Sequence, residues 1–251
     1  MTPPLSTIFV FILGTILGSF LNVVIYRFPR GLSIVRPGSR CPRCQAPIRP
    51  YDNLPLISFL ILRGRCRVCR APISWRYPLV EAVSGGLLAG VWTRFAPWGA
   101  WIPLAAAALF SLSLVAVFFI DLDHQIVPNA ITYPGLVAGL LFATLQGQLV
   151  PSALVAAGAG AVFLAIALVS GGGMGGGDIK LAAMMGAFLG WPLTAVALLL
   201  AFVTGAAAGV LLIALKRRSR KDPIPFGPSL AVGGVIALFA GEILLHWYVG
   251  P

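Results

Sequence analysis

Leu5 to Tyr26, LSTIFVFILGTILGSFLNVVIY, is an uncharged run of 22 residues that ends directly on Arg27, with Arg30 close behind. A hydrocarbon core of about 30 Å takes about 20 residues of helix to cross, because only a helix satisfies its own backbone hydrogen bonds there. No Lys or Arg precedes the run and two Arg follow it, which reverses the charge layout of a secretory signal peptide, so it reads as a retained membrane anchor. Further apolar stretches place spans near 5–26, 77–95, 100–120, 128–147, 150–170, 179–191, 193–215 and 225–248. The predicted fold is an all-α polytopic membrane protein of about eight transmembrane helices.

Composition agrees. A chain that is 59% hydrophobic and 10% charged is not an ordinary soluble domain, which carries roughly a quarter charged residues. Basic residues mark cytoplasmic loops. Eleven of the 18 Lys and Arg lie between Arg27 and Arg76, one is Lys180 and five lie in Lys216 to Lys221, leaving only Arg94 on the other side. Both termini then face the periplasm. The sixth span is the weakest, with a turn at Gly190-Trp191-Pro192. A re-entrant half-helix there would put Lys216-Arg217-Arg218 on the wrong side, so a full span is expected.

The chain divides into a first transmembrane helix (1–26), a polar cytoplasmic loop (27–76) and a membrane domain (77–251). The loop holds every cysteine, as Cys41-Pro-Arg-Cys44 and Cys66-Arg-Val-Cys69, a spacing close to that of a zinc ribbon with four thiolate ligands. Structural disulfides are rare in the reducing cytoplasm, so a metal is expected, and zinc first. Four protein ligands leave no open position for catalysis, and so small a unit needs the metal to fold, which makes the role structural. The loop's eleven bases against one acid, Asp52, raise nucleic-acid binding; membrane topology and anionic lipid headgroups account for them without it.

Ionisable residues at the edges of spans are functional candidates. Asp121 closes the third span in Phe118-Phe-Ile-Asp-Leu-Asp-His124, beside Asp123 and His124, and Ile126-Val-Pro-Asn129 opens the next. Asp178 ends Ser170-Gly-Gly-Gly-Met-Gly-Gly-Gly-Asp178 and opens the sixth span. The charge layout puts both at cytoplasmic span ends and at similar depth. Two carboxylates sharing one proton can activate water and polarise a scissile carbonyl. Gly175, Gly176 and Gly177 lack Cβ and would let an extended substrate lie against Asp178. The bland alternatives stay open: Asp178 as a helix cap, and Asp121 and Asp123 as solvated interfacial residues. Lys180 either biases the pair or marks the cytoplasmic border, and Glu242 and His246 look interfacial.

Together these segments resemble the type IV prepilin peptidase family over nearly the whole chain. The resemblance rests on Gly18-Ser-Phe-Leu-Asn-Val-Val-Ile-Tyr-Arg27, the tetracysteine loop, Asn53-Leu-Pro, Leu62-Arg-Gly-Arg-Cys66 and Arg76-Tyr-Pro-Leu-Val-Glu81. It rests also on Asp121-x-Asp123 with Val127-Pro128, and on Gly175-x-Gly177-Asp178 continued by Ile179-Lys-Leu181. Asn129 departs from the family's usual Asp, and Ala71 from its usual Gly. The resemblance implies Asp121 and Asp178 as catalytic residues, Asp123 as a non-essential companion, and Glu81 paired with an arginine of the loop. It implies cleavage of prepilins or type II secretion pseudopilins after a glycine, at the cytoplasmic face of a bacterial inner membrane. N-methylation of the new N-terminus by S-adenosylmethionine is expected with it, although no Rossmann-type fingerprint marks a donor site.

Two other classes compete. A transporter with a Gly-rich broken helix would place its acids at the midplane and often carries internal repeats; the acids here gather at one face, and no internal repeat is found. A zinc-ribbon adaptor without catalysis would leave both aspartates unexplained.

Overall fold

The structure, a computed structural model, describes residues 4–171, 173–215 and 225–250. The basic cluster Lys216 to Lys221, on which the orientation of the sixth span leans, lies outside them. Among the described residues the fold is helical, and its only strand-like features are two isolated bridges, Arg40 with Pro47 and Arg65 with Pro72. The helices are α1 (Pro4–Arg27), α2 (Ile57–Ile61), α3 (Arg76–Phe95), α4 (Trp101–His124), α5 (Asn129–Leu145), α6 (Leu149–Val169), α7 (Gly176–Leu189), α8 (Leu193–Ala214) and α9 (Gly227–Val249).

Each of the eight apolar stretches is a helix with ends close to those expected. Five of them, α1, α4, α6, α8 and α9, are long and apolar enough to cross a membrane. The others have reasons to differ. Helix α3 carries Arg76, Glu81 and Arg94, and α5 has 17 residues. Helix α7 has 14, a length of about 21 Å at 1.5 Å per residue.

The chain forms two compact units, 1–104 and 105–251. In the first, α1 packs along α3 through small residues. A Cβ on Gly14 would lie 2.7 Å from Gly85 Cα, and one on Gly18 would lie 2.8 Å from Glu81 Cα, the close backbone approach that lets apolar helices associate without a hydrophobic driving force. Asn22 Nδ2 donates to the Tyr77 carbonyl at 3.1 Å, and Trp92 Nε1 to Ser6 Oγ at 3.1 Å. These two bonds fix the register at both ends of the pair.

In the second unit α7 is the central element, in contact with α5, α6, α8 and α9. A Cβ on Gly186 would lie 2.7 Å from Ala156 Cα, so α7 and α6 touch backbone to backbone. Leu181, Met184 and Met185 of α7 are fully buried. Phe110 of α4 stacks on Phe188 of α7 with centroids 5.1 Å apart. A second aromatic cluster joins Phe163, Phe202 and Phe226, with centroids 5.3 to 6.2 Å apart. Phe226 immediately precedes α9, so this cluster seats the start of α9 against α6 and α8. Outward positions stay apolar, as at Leu154, Leu199 and Val210, which suits a lipid solvent and not water.

Candidate active site and four-cysteine centre

Asp121 lies in the last turn of α4 and is 4% exposed. Asp123, two residues on and therefore on another face of the helix, is exposed. The burial separates two acids that adjacent motif positions cannot. Asp121 Oδ2 accepts the backbone N–H of Gly227 at 2.9 Å in a buried bond. Gly227 is the first residue of α9, and the first N–H groups of a helix have no partner within it. The carboxylate satisfies one of them and faces the positive end of the helix dipole.

Asp178 is 9% exposed and sits in the first turn of α7. Gly175, in extended conformation, is the residue before the helix. Its carbonyl accepts the Asp178 N–H at 3.0 Å. The expectation that Asp178 caps the helix is corrected: Gly175 holds the capping position, and Asp178 is the third residue of α7. Asp121, at the C-terminal end of α4 and against the start of α9, and Asp178, in the first turn of α7, are thus two buried acids at helix ends.

The glycines before Asp178 are not equivalent. A Cβ on Gly176 would meet nothing within 4 Å, and one on Gly175 would approach Asp178 Oδ2 at 3.4 Å. A Cβ on Gly177 would lie 2.7 Å from Val127 Cβ, so this glycine lets α7 start against the segment that follows Asp121. Lys180 donates to Asn129 Oδ1 at 2.7 Å and lies 5.3 Å from the Tyr133 ring centroid. Its described partners are on α5. Glu242 and His246 are exposed near the end of α9.

In the other unit the four cysteine sulfurs lie within 4.8 Å of one another. Cys41 Sγ is 3.8 Å from Cys69 Sγ, and Cys44 Sγ is 4.0 Å from Cys66 Sγ. A tetrahedron with metal–sulfur bonds of about 2.3 Å has edges of about 3.8 Å, so the donor set fits one tetrahedral ion. The Cys69 and Val68 backbone N–H groups hold the Cys66 thiol down to about 6. For Cys44 the Ala46 N–H pulls downward, but lost hydration and the three neighbouring sulfurs push it up to about 11.

The two knuckles have one geometry. Cys41 N–H bonds the Ala46 carbonyl and Gln45 N–H the Cys41 carbonyl; Cys66 N–H bonds the Ala71 carbonyl and Arg70 N–H the Cys66 carbonyl. Gln45 and Arg70 both take positive φ, at 56° and 60°. The cause is in the sequence: Arg40-Cys-Pro-Arg-Cys-Gln-Ala-Pro-Ile48 and Arg65-Cys-Arg-Val-Cys-Arg-Ala-Pro-Ile73 are the same nine-residue pattern. The expectation of no internal repeat is therefore corrected for the loop. Ala71, where the family more often has Gly, is buried in this turn. The loop's one acid, Asp52, takes a two-pronged bond from Arg67, 2.6 Å at the shortest, which holds its carboxyl below the usual carboxylate range.

Glu81 was expected to meet an arginine of the loop. It is buried instead against a backbone group: its Oε2 accepts the Leu56 N–H at 2.9 Å.

Apolar span-length helices, two acids buried at helix ends and a separate four-thiol centre define a helical membrane protein with buried carboxylates. Comparison with known proteins names the family. Residues 12–95 match the bacterial peptidase A24 N-terminal domain, and residues 108–210 match the type IV leader peptidase family. The relatives include the prepilin leader peptidase/N-methyltransferase of Aeromonas hydrophila, 42% identical over 96% of this chain and 92% of the relative. Those of Pseudomonas aeruginosa and Legionella pneumophila are 38% and 36% identical over 95% and 93% of this chain, each covered to 91%. The chain belongs to the type IV leader peptidase family. The transporter alternative finds no support among these relatives. No solved structure matches the chain.

Proposed function

We propose that this protein is the leader peptidase of prepilin-like precursors, with Asp121 and Asp178 as its working carboxylates. The observation that carries the reading is the burial of two acids, 4% and 9% exposed, at the ends of α4 and α7, with Gly177 beside Asp178 packed on Val127 of the segment that follows Asp121. One carboxylate takes a proton from water as the oxygen attacks the scissile carbonyl carbon. The other, protonated, hydrogen-bonds the carbonyl oxygen and gives up its proton to it. Collapse of the tetrahedral adduct returns a proton to the departing nitrogen and frees leader and mature chain. Gly175 to Gly177 lie beside the acid as a bed for extended substrate backbone, and Lys180 stands at its border.

The proposed setting is a bacterial inner membrane, crossed eight times, with loop and dyad on the cytoplasmic side. Substrates arrive by lateral diffusion and are cut after a glycine. The four cysteines hold zinc in a structural site that fixes residues 27–76 as a small domain. Zinc's chemistry there is to tie thiolates together and not to polarise substrate.

A second activity, N-methylation of the new N-terminus by S-adenosylmethionine, is supported by the relatives' shared name and by a complete cysteine loop. A cavity of about 770 Å³ in the loop is lined by Arg63, Arg65 and Arg70 with Ile61 and Leu62. These residues do not fit a donor that carries a sulfonium and an ammonium, so no methylation step is derived through them.

The test is cleavage of a pilin-like precursor by purified protein in lipid, comparing wild type with Asp121→Ala and Asp178→Ala. Loss of cleavage in both, with metal content and thermal stability kept, supports the dyad. Cleavage by either variant at the wild-type rate, or none by wild type, overturns it.

A further inference from the structure

The arginine-lined cavity lies beside an apolar helix, and one hydrogen bond sets the depth of both. Helix α2 begins directly after Leu56, whose N–H is held by Glu81 Oε2 at 2.9 Å. Glu81 is five residues beyond Arg76, the first residue of α3, and its Cα lies against Gly18, nine residues before Arg27, the last residue of α1. At about 1.5 Å per residue, Gly18 lies about 14 Å inside the end of α1. The start of α2 is therefore alongside the last turns of a span-length apolar helix, not out in a soluble loop.

What α2 presents at that depth is apolar. Ile57, Leu60 and Ile61 are 55%, 70% and 69% exposed. The helix is anchored from its other side, where Ser58 Oγ donates to the Tyr51 carbonyl and accepts the Leu54 N–H, both at 3.0 Å. Trp75, 75% exposed, packs on Phe59 of α2 with centroids 4.7 Å apart, and an indole is the side chain that most favours a membrane–water boundary. Directly beyond α2 come Arg63, Arg65 and Arg70 around the cavity, while the loop's one carboxylate is taken by Arg67.

We propose that α2 and this cavity form a binding site for one anionic phospholipid. Its headgroup phosphate sits among Arg63, Arg65 and Arg70, and its acyl chains run along Ile57, Leu60 and Ile61. Planar guanidinium groups pair with phosphate oxygens through two parallel bonds, and apolar side chains next to cationic ones are how a segment lying at the interface reads an anionic leaflet. The site rests on the reading that α1 is embedded in a bilayer. It does not depend on the catalytic pair.

The test is native mass spectrometry of the full chain in a neutral detergent, titrated with phosphatidylglycerol, phosphatidylcholine and inorganic phosphate. Wild type prefers phosphatidylglycerol. The triple variant Arg63→Gln, Arg65→Gln, Arg70→Gln loses that preference by about 10²-fold, at about fivefold per arginine. The matched variant Arg36→Gln, Arg40→Gln, Arg43→Gln keeps it, and so does Asp121→Asn, which separates this site from cleavage. No preference in wild type, equal loss in both triple variants, or displacement of the lipid by equimolar phosphate overturns the proposal. A readout without variants is hydrogen exchange of wild type in nanodiscs. Phosphatidylglycerol slows exchange over residues 57–70 relative to phosphatidylcholine, and identical exchange overturns the proposal.

Discussion

Gly227 donates its backbone N–H to Asp121 Oδ2 at 2.9 Å, across 106 residues of chain, and has no side chain at the point where one would strike that carboxylate. A Cβ there would lie 2.6 Å from Oδ2 and 2.9 Å from Cγ. One oxygen of Asp121 is thus fixed by the backbone, and in the proposed mechanism the other would do the chemistry. Gly227→Ala is expected to push the carboxylate aside and lower kcat for precursor cleavage by about 10²-fold, the usual cost of a displacement near 1 Å. KM should hold, since Asp121 acts on the scissile bond and not on the bulk of the substrate. A matched fall in kcat and active fraction, with loss of thermal stability, would mean that Gly227 matters for packing alone.

The glycines before Asp178 make a paired prediction. Gly176→Ala meets no protein atom within 4 Å and is expected to stabilise the start of α7 by up to about 1 kcal/mol, because alanine is the better helix former, so that any fall in cleavage comes from a methyl standing in the proposed substrate bed. Gly177→Ala drives a methyl into Val127 and separates the start of α7 from the segment after Asp121. Overpacking of this kind costs about 1–3 kcal/mol, and cleavage should fall well beyond the loss of stability. Thermal melts and cleavage rates on the two variants check the contrast.

Lys180 and Asn129 account for one departure from the family pattern. The ammonium bonds Asn129 Oδ1 at 2.7 Å and tethers α7 to α5. An aspartate at 129 offers the same oxygen with a charge, so Asn129→Asp is expected to retain activity and raise the melting temperature slightly. Lys180→Met should cost about 1 kcal/mol of stability and less than about tenfold in cleavage. A larger loss of activity at unchanged stability would bring Lys180 into the chemistry.

Much of this was legible in the sequence, for identifiable reasons. Apolar runs such as Leu5 to Tyr26 read as helices because a bilayer permits little else, and Asp121 and Asp178 stand out because acids beside such runs are costly. The short length of α7 was legible too, from the turn at Gly190-Trp191-Pro192 that closes the span expected at 179–191. Gly227 was missed because its contribution is a backbone N–H, which no residue type announces; Phe226-Gly-Pro228 is at most a helix-start signal. For the same reason Glu81 was assigned an arginine partner when its acceptor bond goes to the Leu56 backbone. The repeated knuckle was in plain view in residues 40–48 and 65–73, at a scale far below that of a transmembrane repeat.

The cysteine centre predicts a measurable metal. Purified protein should carry about one zinc per chain, and Cys41→Ser or Cys66→Ser should lose it, since a four-thiolate site closes only with all its ligands. Because metal binding and folding of so small a unit are one equilibrium, loss of zinc should expose the arginines of residues 27–76 to trypsin while the helices stay protected. Retention of zinc by either variant, or trypsin resistance without the metal, would contradict a structural role.

The last prediction concerns how the loop is held to the helices. Leu56 has φ 59°, rare for a residue with a side chain, and its N–H is held by buried Glu81. Glu81→Gln keeps an acceptor oxygen in place and should be nearly silent. Glu81→Ala leaves a donor without its partner and removes the bond that anchors the unusual backbone, at a cost of about 1–3 kcal/mol. The loss should be local: hydrogen exchange should quicken over residues 54–62, with residues 105–171 unchanged, since these belong to the other compact unit. If Gln and Ala prove equally disruptive, the carboxylate charge and not the acceptor geometry is what anchors the loop, and an arginine partner for Glu81 becomes the better account.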